Sequence, residues 1–234
     1  MKIDALVRDN VKNMSSYSSA RDEYKNGCDE NLIYLDANES PFDNGINRYP
    51  DNKHNDLKTV VSKIKNVNVN QVVFGNGTDE ILDLIVRVFC NPNQDQIITL
   101  PPTYGMYDVI AKTNSVENIE IPLKSDFSID RDKILGLKPS NTKILFLCSP
   151  NNPTGNSFDI NILSDLIKDF KGIVVIDEAY IDFSSQKSLI NLIGKYENLI
   201  ITQTMSKAYG MAGIRLGMGF SNEKIISYIN KIKP

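Results

Sequence analysis

A short segment around Lys207 has residue types suited to chemistry on a carbonyl group. It reads Thr204-Met205-Ser206-Lys207, and Arg215 follows eight positions after the lysine. A lysine amine forms Schiff bases with carbonyl compounds, pyridoxal phosphate (PLP) among them, and hydroxyls with an arginine suit a phosphate. A single lysine after a serine is more often a solvated side chain, so the elements around the segment decide between the two interpretations.

Short apolar runs alternate with amphipathic stretches of helix length from residue 72 onward. The runs are Val72–Phe74, Ile97–Thr99, Ile144–Leu147, Ile173–Ile176 and Leu199–Ile201. Apolar strands separated by helices indicate a mostly parallel sheet that helices cover on both faces. We therefore predict an α/β fold with three layers, α/β/α. The helical patterns are Asp56–Lys65, Asp79–Cys90, Tyr104–Lys112, Asp159–Phe170 and Glu223–Ile232.

Ligands in such folds bind beyond the carboxyl ends of the strands, so the residues just after each strand are informative. Gly75-Asn76-Gly77 comes after the first strand and leads into Thr78 and Asp79, which begin a helix. A glycine-rich turn before a helix can bind an anion, although an ordinary cap by Thr78 or Asp79 explains the same residues. The string matches neither the dinucleotide nor the nucleoside-triphosphate fingerprint, which disfavours those ligands.

The next strand ends carry an aromatic, an amide and a carboxylate. Tyr104 comes after the second strand, where its ring can stack on a planar ligand or pack on the rim of the sheet. Asn152 lies in the turn-rich stretch after the third strand, and Asp177 ends the fourth, with Tyr180 close behind. A carboxylate at the end of a buried strand is costly unless a cation pairs with it. Lys207 comes after the fifth strand. Five successive strand ends therefore carry residues that could bind a ligand or take part in a reaction.

Composition and charge narrow the possible functions. The formal net charge is -3 and the pI about 5.3, which argues against a nucleic-acid surface. Three cysteines (Cys28, Cys90 and Cys148) and one histidine, His54, lack the spacing of a zinc site. The chain shows neither a signal-peptide core nor an apolar run that would span a membrane. We therefore expect a cytoplasmic location and no membrane partner.

Several motifs give the chain a resemblance to a known family. They are Leu35–Glu39, Asn47–Pro50, Gly77–Glu80, Pro101–Tyr107, Ser149–Gly155, Asp177–Phe183 and Thr204–Lys207. Taken together they resemble the fold-type-I PLP-dependent aminotransferases, and most specifically the histidinol-phosphate aminotransferases. The resemblance covers essentially the whole chain in the same order.

The resemblance implies roles for the residues at the strand ends. The lysine matching Lys207 carries PLP covalently and later moves the proton, and the aspartate matching Asp177 pairs with the pyridine nitrogen. Matches to Asn152 and Tyr180 hydrogen-bond the ring oxygen, while Tyr104 stacks on the ring. The phosphate is implied to bind five groups: the N–H groups of Thr78 and Asp79, the hydroxyls of Thr204 and Ser206, and Arg215.

Two tyrosines outside the strand ends are also assigned by the resemblance. The match to Tyr49 reaches the phosphate in the neighbouring subunit, which implies a homodimer with shared sites. The match to Tyr17 contacts substrate from an N-terminal arm. The implied reaction is transamination between L-histidinol phosphate and 2-oxoglutarate, with imidazole-acetol phosphate and L-glutamate on the other side.

The resemblance also suggests a domain division. Residues 1–35 would form the N-terminal arm and the start of a small lobe, and residues 36–234 the PLP-binding large domain. Family members continue into a C-terminal small domain whose arginine grips the substrate, yet no arginine comes after Arg215. We therefore expect that this small domain is absent and that amino-acid substrates bind weakly.

Three alternatives stay open on sequence. A related PLP enzyme, such as a threonine-phosphate decarboxylase, shares the same motifs. A fragment that binds the cofactor without turnover is a second alternative, suggested by the missing small domain. A nicotinamide-dependent enzyme is a weaker third, because the α/β pattern is generic but the phosphate fingerprint is wrong.

Overall fold

The described residues fold around one sheet of seven strands. The structure is a computed structural model and describes residues 2–17, 33, 35–137 and 141–233. The strands are β1 (Val72–Asn76), β2 (Gln96–Thr99), β3 (Glu117–Glu120), β4 (Thr142–Cys148), β5 (Ile173–Asp177), β6 (Leu199–Thr204) and β7 (Leu216–Phe220). They lie in the order β1-β7-β6-β5-β4-β2-β3, and β7 is antiparallel to both of its neighbours. The other six strands therefore run in one direction, and their carboxyl ends meet at one edge.

Helices cover both faces of this sheet. They are α1 (Asp9–Asn13), α2 (Asn55–Lys65), α3 (Thr78–Phe89), α4 (Met106–Thr113), α5 (Arg131–Gly136), α6 (Ile160–Asp169) and α7 (Glu223–Ile232). Successive strand residues alternate between two apolar clusters, because side chains along a strand point to opposite faces. Val73 packs with residues of α3, α4 and α7, whereas its neighbours Val72 and Phe74 pack with residues of α2, α5 and α6. The predicted three-layer α/β fold is confirmed.

The helix starts differ in a way that matters for the site. The Asp159 side chain caps α6 by accepting hydrogen bonds from the N–H groups of Asn161 (2.7 Å) and Ile162. Asn222 caps α7 in the same way. Helix α3 instead begins after Gly77, which has no side chain and forms no side-chain cap. The N–H groups of the first turn of α3 thus remain available to a ligand.

Strand β7 was not among the strands predicted from sequence. Its glycines allow a close approach that a larger residue would prevent: a Cβ atom on Gly217 would overlap the backbone of Gly77 and Thr78. A Cβ atom on Gly219 would lie 2.9 Å from a methyl carbon of Val73. The glycines that weaken the apolar pattern of β7 therefore bring this strand against β1 and the start of α3.

The first residues pack on the layer that contains α7. Ile3, Val7 and Val11 are buried in this layer, and Asp4 accepts hydrogen bonds from Lys224 (2.6 Å) and from the hydroxyl of Tyr228 (2.8 Å). Residues 18–32 and 34, which the sequence assigns to the arm, lie outside the described residues. The division at residue 35 stays a prediction.

None of the helices in the described part of the chain is long and apolar enough to cross a membrane.

Candidate functional site

The carboxyl ends of β1, β2, β4, β5 and β6 surround a cavity of about 170 Å³. Its lining includes ten of the twelve residues selected from the sequence. These are Thr78, Asp79, Tyr104, Asn152, Asp177, Tyr180, Thr204, Ser206, Lys207 and Arg215. Gly77, Cys148 and Ala179 complete the lining. The parallel strands thus bring distant parts of the sequence into one cavity.

The remaining two residues, Tyr17 and Tyr49, do not line this cavity. Their side chains are 83% and 71% exposed. The carboxylate of Glu39 shapes the loop before Tyr49, since it forms an ion pair with Arg48 (3.0 Å) and accepts the N–H of Tyr49 (2.6 Å). The loop therefore presents Tyr49 on the surface, outside the lining of the cavity.

Asp177 is a buried carboxylate held by three donors. It accepts hydrogen bonds from the hydroxyls of Tyr107 and Thr202, each at 2.9 Å, and from the N–H of Ala179 at 3.2 Å. Burial raises the pKa of Asp177, and the hydrogen bonds from Tyr107 and Thr202 partly oppose that effect. No lysine or arginine of the described residues forms a salt bridge with this carboxylate. A cationic group of a ligand would supply the missing countercharge.

Tyr107 and Thr202 were missed by sequence reasoning. Thr202 is a hydroxyl residue in an apolar strand, and it lies directly opposite Asp177 in the pairing of β5 with β6. Tyr107 comes three residues after Tyr104, but the helix begins only at Met106, so this spacing does not place the two side chains on one helical face. Its ring is fully buried and stacks on Phe146, with centroids 4.9 Å apart. Only the polarity of Thr202 in its strand was a usable signal.

An anion cradle lies at the start of α3. Gly77 has a φ of +76°, and its N–H donates to the carbonyl of Arg215 at 2.7 Å. A Cβ atom on Gly77 would lie 2.5 Å from Nη2 of Arg215, so the guanidinium occupies the space that a side chain would fill. Uncapped N–H groups and a guanidinium at a helix start suit a phosphate.

Thr204 and Ser206 form the turn between β6 and Lys207. The hydroxyl of Thr204 accepts the N–H of Ser206 at 3.1 Å, and the two hydroxyl oxygens lie 3.0 Å apart. The Thr204 hydroxyl also lies 3.3 Å from the carbonyl of Leu216. Thr204 thus fixes the geometry of the turn, and Ser206 is the more exposed of the two hydroxyls in the cavity.

The amine of Lys207 lies next to an aromatic face. Its Nζ atom is 5.5 Å from the centroid of the Tyr180 ring. The lysine is exposed, and no salt bridge to it occurs in the part of the chain that the structure describes. The amine is therefore accessible to a carbonyl compound in the cavity.

The ring of Tyr104 borders the cavity between Asp79 and Tyr107. Its hydroxyl donates to the carboxylate of Asp79 at 3.1 Å, and its ring meets the Tyr107 ring edge-on, with centroids 5.5 Å apart. Burial and the neighbouring Asp79 raise the pKa of Tyr104 to about 12. The phenol therefore stays protonated, and remains a donor, at neutral pH. Helix α4 itself begins at Met106, two residues later than the sequence pattern suggests.

The loop that carries Asn152 is fixed by its neighbour Asn151. The buried Asn151 amide donates to the carbonyl of Pro102 (2.9 Å) and to the hydroxyl of Thr154 (2.7 Å), and it accepts from Thr103 (2.9 Å). These contacts tie the loop after β4 to the loop after β2. Asn152 is thereby held in the cavity lining.

The lining fits PLP in its chemistry. The carboxylate of Asp177, which has no countercharge among the described residues, suits a protonated ring nitrogen, and the Gly77–Arg215 cradle suits a phosphate. The amine of Lys207 suits an aldehyde carbon, and the ring of Tyr104 suits a planar heterocycle.

Comparison with known proteins gives an independent result. The model of aminotransferase classes I and II matches residues 35–234. The histidinol-phosphate aminotransferase of Flavobacterium johnsoniae is 56% identical over 232 residues, which cover 99% of this chain and 66% of that protein. The chain therefore spans about two thirds of the length of this curated relative.

Solved structures show the same fold. The histidinol-phosphate aminotransferase of Clostridium acetobutylicum has a TM-score of 0.71 at 27% identity, over 80% of this chain and 56% of that one. The enzyme of Sinorhizobium meliloti, solved in complex with PLP, has a TM-score of 0.73 at 24% identity, over 80% and 52%. The chain belongs to the class I and II aminotransferase family, whose members depend on PLP.

Proposed function

We propose that this chain belongs to an enzyme that transfers the amino group between L-histidinol phosphate and 2-oxoglutarate, with PLP as its cofactor. One observation carries the chemical part of the proposal. The carboxylate of Asp177, which lacks a countercharge among the described residues, lines the same cavity as the amine of Lys207 and the Gly77–Arg215 cradle. The similarity to histidinol-phosphate aminotransferases, at 56% identity in one case, supports the choice of substrates.

Each end of the cofactor has its own partner in the cavity. The N–H groups at Thr78 and Asp79, the guanidinium of Arg215 and the hydroxyl of Ser206 would bind the phosphate. Asp177 would pair with the ring nitrogen, where PLP when bound supplies an acceptor for electrons from the substrate carbon. Asn152 and Tyr180 would hydrogen-bond the ring oxygen, and Tyr104 would cover one face of the ring.

Lys207 has two tasks in this proposal. Its Nζ atom would hold the cofactor covalently and, when free, would act as the base that takes a proton from the substrate α-carbon. The turn fixed by Thr204 would position Lys207 for both tasks. The same Nζ would then deliver that proton to the cofactor.

The proposal extends to a homodimer with shared sites. Tyr49 is exposed and held by its loop, so its phenol is available to a second subunit. The resemblance assigns this tyrosine to the phosphate in the partner's site. We also propose a cytoplasmic location, where the free thiols of Cys90 and Cys148 would stay reduced.

Amino transfer from L-histidinol phosphate to 2-oxoglutarate, measured as formation of L-glutamate, tests the substrate assignment. L-threonine phosphate serves as the competing substrate, with carbon dioxide release as its readout. Glutamate formation that depends on L-histidinol phosphate supports the proposal. Carbon dioxide release without glutamate formation would replace it with a decarboxylase.

A further inference from the structure

A carboxylate stands next to the anion cradle, where its charge opposes the binding of a phosphate. Asp79 is the second residue of α3, and it lines the cavity together with Gly77 and Arg215. Like charges at such short range weaken anion binding. Among the described residues, Asp79 takes part in no salt bridge that would neutralise it. Its position therefore calls for another role.

The contact that Asp79 makes is with the ring that would cover the cofactor. Its Oδ1 atom accepts the hydroxyl of Tyr104 at 3.1 Å. Tyr104 precedes α4, so the helix does not fix its side chain, and Tyr107 meets the ring only by its edge. The ring also packs on the apolar cluster that includes residues of α3 and α4, and the hydroxyl contact fixes its far end where it borders the cavity.

We propose that the Asp79 carboxylate is a positioning residue, which holds the Tyr104 ring in the orientation that covers the cofactor. This inference rests on the proposed function, because it assumes that PLP occupies the cavity. A side chain that is ordered before binding loses less conformational entropy when the ligand arrives. The phenol is protonated over the physiological range, so the contact persists there.

Equilibrium binding of PLP to four variants tests this role. Asp79→Asn keeps a hydrogen-bond acceptor and removes the charge, whereas Asp79→Ala removes both. Each change is made with Tyr104 present and with Tyr104→Phe. With Tyr104 present, we expect Asp79→Ala to bind PLP about five- to tenfold more weakly than Asp79→Asn, since one hydrogen bond is lost. With Tyr104→Phe, we expect the two variants to bind equally.

The quantity compared is the ratio of the PLP affinities of Asp79→Ala and Asp79→Asn. The charge of Asp79 and its effect on the start of α3 are the same with Tyr104 and with Tyr104→Phe, so they do not change how this ratio differs between the two backgrounds. The same ratio in both backgrounds would overturn the inference. The visible circular dichroism of bound PLP gives a second readout, which we expect to fall in Asp79→Ala and to be restored in Asp79→Asn. Unchanged dichroism in Asp79→Ala would also count against the role.

A single change covers the case in which Asp79→Ala does not fold. Tyr104→Phe removes only the hydroxyl and should weaken PLP binding. Tyr228→Phe is its matched control, because Tyr228 donates to Asp4 at 2.8 Å and does not line the cavity. Equal PLP affinity in the two phenylalanine variants would refute the inference. Failure of the unmodified protein to bind PLP would contradict the proposed function as well, which separates the two results.

Discussion

The hydroxyl of Tyr107 donates a 2.9 Å hydrogen bond to the carboxylate of Asp177, and both side chains are buried. Helix α4 and strand β5 are thereby joined beneath the cavity by a polar contact that water does not compete for. The ring of Tyr107 stacks on Phe146, and its hydroxyl points to the carboxylate of Asp177. The pKa of Asp177 is therefore set in part by Tyr107, a residue that does not line the cavity.

Tyr107→Phe should lower PLP affinity or turnover without unfolding the protein. The change removes one of three donors to Asp177, and hydrogen bonds to charged groups contribute about 1.5–3 kcal/mol, or roughly 10- to 150-fold. The two measurements are turnover as a function of pH and the equilibrium binding of PLP. Tyr228→Phe serves as the control with an equal change in shape. Wild-type values for Tyr107→Phe would show that Thr202 and Ala179 suffice.

Lys207→Ala should abolish amino transfer while the fold survives. Borohydride treatment with PLP, and then mass spectrometry of peptides, should place the label on Lys207 in the wild-type protein and nowhere in the variant. Lys195→Ala is a matched control, because its amine also lies over a tyrosine ring, 5.0 Å from the centroid of Tyr196. Labelling of another lysine in the wild-type protein would contradict the assignment.

Asp177→Asn should retain bound PLP and lose most turnover. An amide cannot stabilise a protonated pyridine nitrogen, and the missing charge is felt mainly in the transition state. Steady-state kinetics and PLP titration separate the two effects. A variant with a near-normal kcat would show that Asp177 has only a structural role.

The same substitution should change how the stability of the cofactor-free protein depends on pH. The folded pKa of Asp177 is raised by burial, so its contribution to stability is present below the ordinary aspartate pKa of 3.8 and is lost as pH rises through the folded pKa. As the pH rises through this range, we expect the free energy of unfolding of Asp177→Asn to increase relative to that of the wild-type protein. Denaturant unfolding at several pH values measures the difference. A difference that is constant with pH would contradict the raised pKa.

Gly77→Ala should weaken PLP binding through the cradle. The new Cβ atom would lie 2.5 Å from Arg215 and displace the guanidinium, and a φ of +76° strains any residue with a side chain. The loss of a charge-assisted contact should reduce affinity by about tenfold or more. Gly155→Ala is the control, because Gly155 has the same φ and no atom near its Cβ position. Equal PLP affinity in the two variants would argue against the cradle.

Subunit mixing tests whether sites are shared. If Tyr49 completes the partner's site, a hybrid of Tyr49→Phe and Lys207→Ala subunits contains one site with both defects and one with neither. We expect the mixture to be more active than the sum of its parents at equilibrium. Activity equal to that sum would speak against sharing, and a monomer by light scattering would contradict the homodimer.

The sequence by itself determined five of the seven strands found in the described residues, and the residues that follow each of the five. Runs such as Ile173–Ile176 are local signals, because strands buried on both faces are apolar throughout. The fold rule for parallel sheets then places the residues after these strands at one edge. That rule alone brought Lys207, Asp177 and Tyr104 together. Their roles toward PLP came from the resemblance to a family and remain predictions.

The tertiary structure decided the contacts between elements distant in the chain. Tyr107 and Asp177 are 70 positions apart, and their hydrogen bond depends on how α4 packs on the sheet. The glycines of β7 are typical of a loop in the sequence alone. The pairing of β7 with β1 shows why residue 217 must be small, since a Cβ atom on Gly217 would overlap the backbone of Gly77. Propensity and periodicity are properties of neighbouring residues, whereas the partner of a buried polar group is set by packing, and only the folded chain specifies it.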